Sequence, residues 1–307
     1  MKIIPVAFCF DDNLESAAGV CISSLLINAK ANTFYDLFIL HSDKCTFPDG
    51  KLNELPLFYH NCKITYRTVG REFEHAFEIR GITAAAYYRL LIPELIPEYD
   101  KIIYSDVDVI FRNDLADFYE NTDLTGYYVA GVSTPYSDIS SYVKSKIGVD
   151  IVQYIASGNL ILNSKSMRED GLVARFREVA QRKWKYQDMD TINQVCAGKI
   201  KLLPPWFCIT GTMSEILCDK NQSYYPKEEA AYALNYGIIH YNGPKPWQQY
   251  CLNFDIWWEY YRKSIFFEPQ FYYNFYQSRL NEYDLLPLWK RIKMVLRYFK
   301  IRGIVKK

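Results

Sequence analysis

Over the first two thirds of the chain, short apolar runs alternate with stretches of helical spacing. Residues 3–10 form a continuous apolar run of strand length. Residues 14–28 then repeat apolar side chains at helical intervals, which puts Leu14, Ala18, Cys21, Ile22, Leu25 and Leu26 on one face. "DLFIL" (36–40) and "KITYRTV" (63–69) predict strands, and "ITAAAYYRLLI" (82–92) predicts a helix ended by Pro93. "KIIYSDVDVIF" (101–111) and "YIASGNLILN" (154–163) predict further strands, and "YQDMDTIN" (186–193) the opening of another helix. Strand, helix, strand order of this kind predicts an α/β fold with a mostly parallel sheet covered on both faces. Such sheets bind ligands beyond the carboxyl ends of their strands.

That rule gives meaning to two carboxylates in an otherwise apolar run. Asp106 and Asp108 sit at the carboxyl end of "KIIY", and Asp11, Asp12 and Asn13 hold the equivalent place after the first strand. Buried charge is costly without a partner of opposite sign. The nearest basic residues in sequence, Lys101 and Arg112, are several positions away, which leaves room for a metal ion. Two acids at i and i+2 of an extended segment project to the same side and can share one hard divalent cation. His240, in "IIHYNGPKPW" (238–247), is the natural third ligand, and one imidazole among oxygens favours Mn²⁺ while Mg²⁺ also suits. Such an ion bridges a diphosphate, and Lys245 is placed to cover the remaining charge. No G-x-G-x-x-G follows the first strand and no P-loop motif occurs, so a dinucleotide fold and a P-loop are disfavoured.

Composition narrows the class. Half of the 307 residues are hydrophobic, enough for one large domain or two small ones. The net charge of +1 conceals an asymmetry: residues 285–307 hold eight Lys or Arg and no acid, leaving 28 basic against 35 acidic residues elsewhere. A body at −7 argues against nucleic acid as a partner. Eight cysteines without a C-x-x-C pair fit a reduced, cytoplasmic compartment better than a zinc or redox site. The apolar N-terminus, broken by Pro5 and followed by Asp11 and Asp12, reads as a strand and not an export signal, and no run of 18 apolar residues spans a membrane.

Five stretches together are specific: "FDDNL" (10–14), "AAAYYRLLIPELI" (84–96), "DKIIYSDVDVIF" (100–111), "YQDMDTIN" and "HYNGPKPW" (240–247). In this order and spacing the chain resembles the retaining glycosyltransferases of family 8, especially the bacterial galactosyl- and glucosyltransferases of lipopolysaccharide synthesis. The resemblance implies a GT-A type, Rossmann-like fold over residues 1–250, with residues 251–307 as an aromatic and basic helical extension. It implies a UDP-hexose donor with Mn²⁺, and an oligosaccharide or lipid-linked glycan acceptor. Asp106, Asp108 and His240 become the metal ligands, while Cys9, Asp11, Asn13, Gly243 and Lys245 line the nucleotide and diphosphate. Arg89, Ser157, Gly158, Asp188 and Met189 fall at donor-sugar positions, with Arg89 and Asp188 as the candidate catalytic pair.

The chain also departs from that pattern. Met189 stands where the family usually has Gln between two acids, Ala156 stands for an Asn, and Thr134 falls near a frequent carboxylate. These changes point to same-face attack by the acceptor, to a donor other than UDP-galactose, or to a catalytically silent nucleotide-sugar or glycan-binding protein. Trp206 and Phe207 either offer apolar faces to a sugar or simply pack. At the C-terminus, Leu288, Ile292, Val295 and Phe299 recur at helical spacing beside Lys290, Lys293, Arg297 and Lys300, with Trp289 at the start. That pattern suits a segment on the anionic inner face of the plasma membrane, and equally a solvated helix packed on the body.

Overall fold

A computed structural model describes residues 1–73, 83–134 and 137–305. Its central sheet contains β1 (Lys2–Cys9), β2 (Thr33–Ser42), β3 (Cys62–Val69), β4 (Ile102–Ser105), β6 (Val129–Ser133), β7 (Ile155–Leu162) and β8 (Ile200–Leu202), in the order β3-β2-β1-β4-β7-β6-β8. β3, β2, β1 and β4 pair in parallel, β7 runs antiparallel to both neighbours, and β6 and β8 are again parallel. Six strands thus point one way, giving the mixed, mostly parallel sheet expected. A second, two-stranded sheet joins β5 (Val109–Ile110) to β9 (Ile239–His240).

Strand alternation divides the core into two layers. Ile4, Val6 and Phe8 of β1 face one layer and Ala7 and Cys9 the other; in β4, Ile103 faces the first, and Ile102 and Tyr104 the second. Each fully buried aliphatic or aromatic side chain among them contributes ~1.5–3 kcal/mol. Pro5 is tolerated in a central strand because pairing with β4 begins one residue later, at Val6.

The helix Glu15–Ile27 is buried on every side from Ala17 to Leu26, not along a single stripe. Its small residues permit that: a Cβ on Gly19 would lie 2.2 Å from the Phe266 ring. Ser24 accepts from the Phe111 amide at 2.9 Å, tying the helix to the chain just after β5. The first core layer runs from Phe8 through Trp257, Trp258, Tyr261, Phe266 and Phe275, so the helices Phe254–Lys263 and Pro269–Asp284 pack as part of it.

The predicted helix over 82–92 is different in kind. Residues Ala84–Leu91 form 3-10 turns, and Pro93 opens a short α-helix, Ile92–Leu95, where its missing N–H costs nothing. Ile82 lies outside the described residues.

Candidate active site

Asp106 and Asp108 occupy the bend between β4 and β5, not an extended run as the i, i+2 argument supposed. Their convergence has another cause. β5 pairs antiparallel with β9, Val109 opposite His240, and the Tyr241 amide donates to the Asp108 carbonyl at 2.9 Å. This small sheet carries the imidazole across more than a hundred residues to the acids. His240 Nε2 lies 3.4 Å from Asp106 Oδ2 and 3.2 Å from Asp108 Oδ1. One ligand atom from each of the three residues falls within 4.8 Å of the others. Two carboxylates and one imidazole suit a divalent ion such as Mn²⁺ or Mg²⁺, so the residues present fit such an ion.

The ring can approach because β7 offers no side chain there. A Cβ on Gly158 would lie 2.2 Å from His240 Cε1 and 3.0 Å from Asp106 Oδ2, and the Gly158 carbonyl accepts from the Asp106 amide at 2.7 Å. Neither a buried ring nor a paired strand gives way easily. If the three residues hold a divalent ion, Gly158→Ala is expected to displace His240 and weaken binding of the ion at least ~10-fold, as loss of a supporting contact typically does, when Mn²⁺ is titrated calorimetrically on the folded protein.

The protein supplies its own cations to the acids. Neither is Lys101, which donates to the carbonyls of Tyr119 and Thr122, nor Arg112, which donates to those of Gly237, Leu234 and Ala233. Arg89 Nη2 reaches Asp106 Oδ1 at 2.8 Å, and Lys245 Nζ pairs with Asp108 Oδ2. Arg89 also lies 3.3 Å from Asp188 Oδ2, donates to the carbonyls of Ala86 and Ser157 at 2.8 Å, and stacks 4.4 Å over the Tyr104 ring. The Tyr104 hydroxyl in turn donates to Asp106 Oδ1. Burial alone would lower the Arg89 guanidinium, but Asp106 and then Asp188 outweigh it and raise it further.

The other acids respond to the same neighbours. Burial pushes Asp108 up, and the opposing pull of His240, followed by Lys245, leaves it below the ordinary carboxylate value. Burial likewise works to lower His240, yet Asp108 holds the ring well above its usual value. Asp188 is raised, by burial first; Arg89 pulls it back and Asp106 adds to the rise.

Asp188 lies in the first turn of the helix Gln187–Val195, whose first residue, Gln187, has φ of 44°. A non-glycine residue in that region is held there by its surroundings. The anchor is Asp190, which accepts from the hydroxyls of Tyr142 and Tyr154 and from the Tyr186 amide. With Asp190 so engaged, Asp188 turns inward at 6 % exposure, and its Oδ2 has no aligned hydrogen-bond donor. Met189 is half-buried against the second core layer.

Of the residues expected at the nucleotide, Cys9, Asp11 and Asn13 lie at the carboxyl end of β1, and Gly243 and Lys245 follow β9. Asp11 accepts from the Asn13 amide and the Thr83 hydroxyl, both at 3.1 Å, beside an open crevice of ≈ 250 Å³ lined by Phe10, Ser42, Lys44, Thr83 and Tyr88 among others. Asp12 instead accepts from the amides of Thr46 and Phe47, a structural tie. Asn13 is exposed, and Cys9 is buried, which pushes its thiol up. Gly243 borders open space.

Phe207 is fully buried and Trp206 packs edge-on against Phe118 and Tyr232, so this pair is core packing. Thr134 spends its hydroxyl on the Tyr154 carbonyl at 3.0 Å. The side chains of Phe299 and Lys300 lie outside the described residues. Sequence reasoning missed Tyr104 and Cys208, whose Sγ is 3.7 Å from His240 Nδ1. Tyr104 was within reach, since alternation places it two residues before Asp106 on a common side.

Comparison with known proteins identifies the family and the fold. The family model described as glycosyl transferase family 8 matches residues 5–251. Among curated relatives, a Haemophilus influenzae protein named for glycosyl transfer in general is 28% identical over 256 residues, covering 80% of this chain and 73% of its own. The lipopolysaccharide 1,2-glucosyltransferase of Escherichia coli K12 is 24% identical over 261 residues, covering 82% and 75%. The solved galactosyltransferase LgtC, in complex with donor and acceptor sugar analogues, superposes with a TM-score of 0.75 at 23% identity, covering 87% of this chain and 98% of that one, which shows a shared GT-A fold. A match to the family model that runs through both sheets and every acid of the cluster leaves one conclusion: the chain belongs to glycosyltransferase family 8 and is a hexosyltransferase.

Proposed function

We propose that this enzyme moves a hexose from a UDP-sugar to a hydroxyl of a glycan acceptor, with retention at the anomeric carbon and with dependence on a divalent ion. The observation that carries this reading is the meeting of Asp106, Asp108 and His240 at the carboxyl edge of the sheet. A divalent ion held by these three would offset the charge that develops on the departing diphosphate.

The chain's own residues divide the remaining work. Asp11, which lines the crevice beyond β1, and the exposed Asn13 beside it are the candidates for the uridine, and Lys245 with the Gly243 backbone for the diphosphate. Asp188 Oδ2, buried and lacking an aligned donor, is suited to accept from a donor-sugar hydroxyl. Arg89 keeps Asp188 and Asp106 at fixed spacing. The Met189 thioether cannot form the acyl-type bond to the sugar that an amide or carboxylate oxygen could. The acceptor hydroxyl is then the nucleophile on the face the UDP leaves, and its proton passes to the diphosphate oxygen being released. With Ala156 and Thr134 unavailable to the sugar's hydroxyls, a donor other than UDP-galactose is favoured.

The test is hydrolysis and transfer across a panel of UDP-sugars, with Mn²⁺ and with chelator. Turnover only with metal, on a sugar other than galactose, is expected. Metal-independent turnover sinks the reading, a sharp preference for UDP-galactose sinks the donor assignment, and binding of UDP-sugars without turnover supports the silent binding protein.

For the acceptor side we propose a lipid-linked glycan at a cytoplasmic, anionic membrane face. No helix among the described residues is long and apolar enough to cross a membrane. The helix Leu288–Val305 nevertheless exposes Leu288, Trp289, Ile292, Val295 and Leu296 beside Lys290, Lys293 and Arg297. The full chain is expected to co-sediment with vesicles rich in phosphatidylglycerol, and a chain ending at Asp284 to remain in the supernatant. Equal partitioning of the two removes the proposal.

A further inference from the structure

The two cations that hold the acids are built differently. Arg89 has 6% of its side chain exposed and is fixed by two carboxylates, two backbone carbonyls and the Tyr104 ring. Lys245 has 27% of its side chain exposed, projects from the loop after β9 on a flexible four-carbon stem, and is held by Asp108 Oδ2 and by the Tyr241 carbonyl at 2.7 Å. Its backbone is nonetheless anchored: the Pro246 carbonyl accepts from Trp258 Nε1 at 3.0 Å, and the Tyr241 hydroxyl donates to the Asn253 carbonyl at 2.7 Å. The main chain is held while the ammonium can swing.

Asp108 Oδ2 is occupied by Lys245, whereas Asp108 Oδ1 faces His240. A divalent ion and an ammonium cannot share one partly buried carboxylate at low cost, because like charges held on the same acid repel in an incompletely screened site. Resting on the metal reading above, we propose that Lys245 and the divalent ion compete for Asp108. Entry of the ion expels the ammonium from the acid, and the freed ammonium becomes a ligand for the diphosphate. Lys245 is then a switch that couples two binding events. The ion alone must overcome an existing ion pair, while the ion together with a nucleoside diphosphate gives the displaced ammonium a new partner. Coupling of this kind is reciprocal, and between linked sites is commonly ~5–150-fold.

A fixed phosphate ligand and a switch make different predictions for Lys245→Met in the absence of nucleotide. Mn²⁺ affinity is measured by titration calorimetry on the full chain, alone and with UDP, for the unmodified protein, Lys245→Met and Lys245→Gln. Thermal unfolding with and without Mn²⁺ confirms the fold and gives a second readout. The switch requires both variants to bind Mn²⁺ alone at least ~5-fold more tightly than the unmodified protein, and to lose most of the enhancement that UDP brings. It also requires Mn²⁺ to raise the unfolding temperature of the variants more than that of the unmodified chain. Unchanged or weaker binding of Mn²⁺ alone by both variants overturns the switch and leaves Lys245 a simple phosphate contact. Absence of Mn²⁺ binding by the unmodified protein even with UDP overturns the metal reading itself.

Discussion

Asp108→Asn is expected to abolish the proposed metal-supported sugar transfer while leaving the protein folded. The carboxylate lies between His240 Nε2, 3.2 Å from one oxygen, and Lys245 on the other. An asparagine keeps the shape of the side chain but replaces an anionic oxygen with a neutral amide, a poor ligand for a hard dication. Misplacing one preorganised group that stabilises developing negative charge already costs ~10²–10³ in rate. Losing a ligand of the ion should cost at least that, and we expect turnover to fall by ~10³-fold or more. Stability changes less. Lys245 is partly exposed and finds water when its partner is neutralised, and the amide oxygen still accepts from His240. Two measurements check the outcome: transfer rate at saturating UDP-sugar and Mn²⁺, and the thermal unfolding midpoint. A variant that keeps more than a tenth of the original rate would refute the assignment of Asp108 as a ligand.

Much of this site was legible because strand ends announce themselves. An acid pair closing an apolar run, and a second polar cluster after the first strand, needed only the rule that parallel sheets open at their carboxyl edges. The late histidine was reachable from its donor chemistry. What stayed hidden was direction and reach. β7 is as apolar as its neighbours, and nothing in "YIASGNLIL" says it runs antiparallel to β4. The pairing of two-residue strands that brings His240 to Asp108 is too short to leave a periodic signal. Arg89 was placed at the donor sugar by family likeness alone. That a residue of a 3-10 segment would reach Asp106, the Ser157 carbonyl and Asp188 at once depends on tertiary packing, which linear distance from Lys101 and Arg112 misjudged. The helix after β1 misled in the opposite sense. Its apolar stripe was real, but Gly19, Ser23 and Ser24 on its other sides are buried too, because small side chains let Phe266 and the chain after β5 close against them.

Replacing Arg89 should damage stability and turnover together. Arg89→Met removes the cation from a site where Asp106 and Asp188 face one another across it, Asp188 at 6 % exposure. Breaking a buried ion pair by removing one partner costs ~3–5 kcal/mol, because the remaining charge stays desolvated. For a chain of this length that lowers the unfolding midpoint by ~5–8 °C. Arg89→Lys restores a charge but not the planar fork that serves two carboxylates and two carbonyls together, so it should recover part of the stability and little of the turnover. The sign of the pH dependence follows from Asp188, already raised by burial against the pull of Arg89. A carboxyl raised on folding binds its proton more tightly in the native state, so its contribution is most favourable in acid and is lost as pH rises through the raised value. Without Arg89 the rise is larger, and Arg89→Met should lose stability more steeply than the unmodified chain as pH rises from the ordinary carboxylate range toward neutrality. Adding Asp188→Asn removes the group responsible. The double variant should therefore be more stable than Arg89→Met alone at neutral pH, and its pH slope should return toward that of the unmodified protein. Equal stabilities of the single and double variants across that range would show that the guanidinium is held by packing on Tyr104 rather than by the acids it bridges.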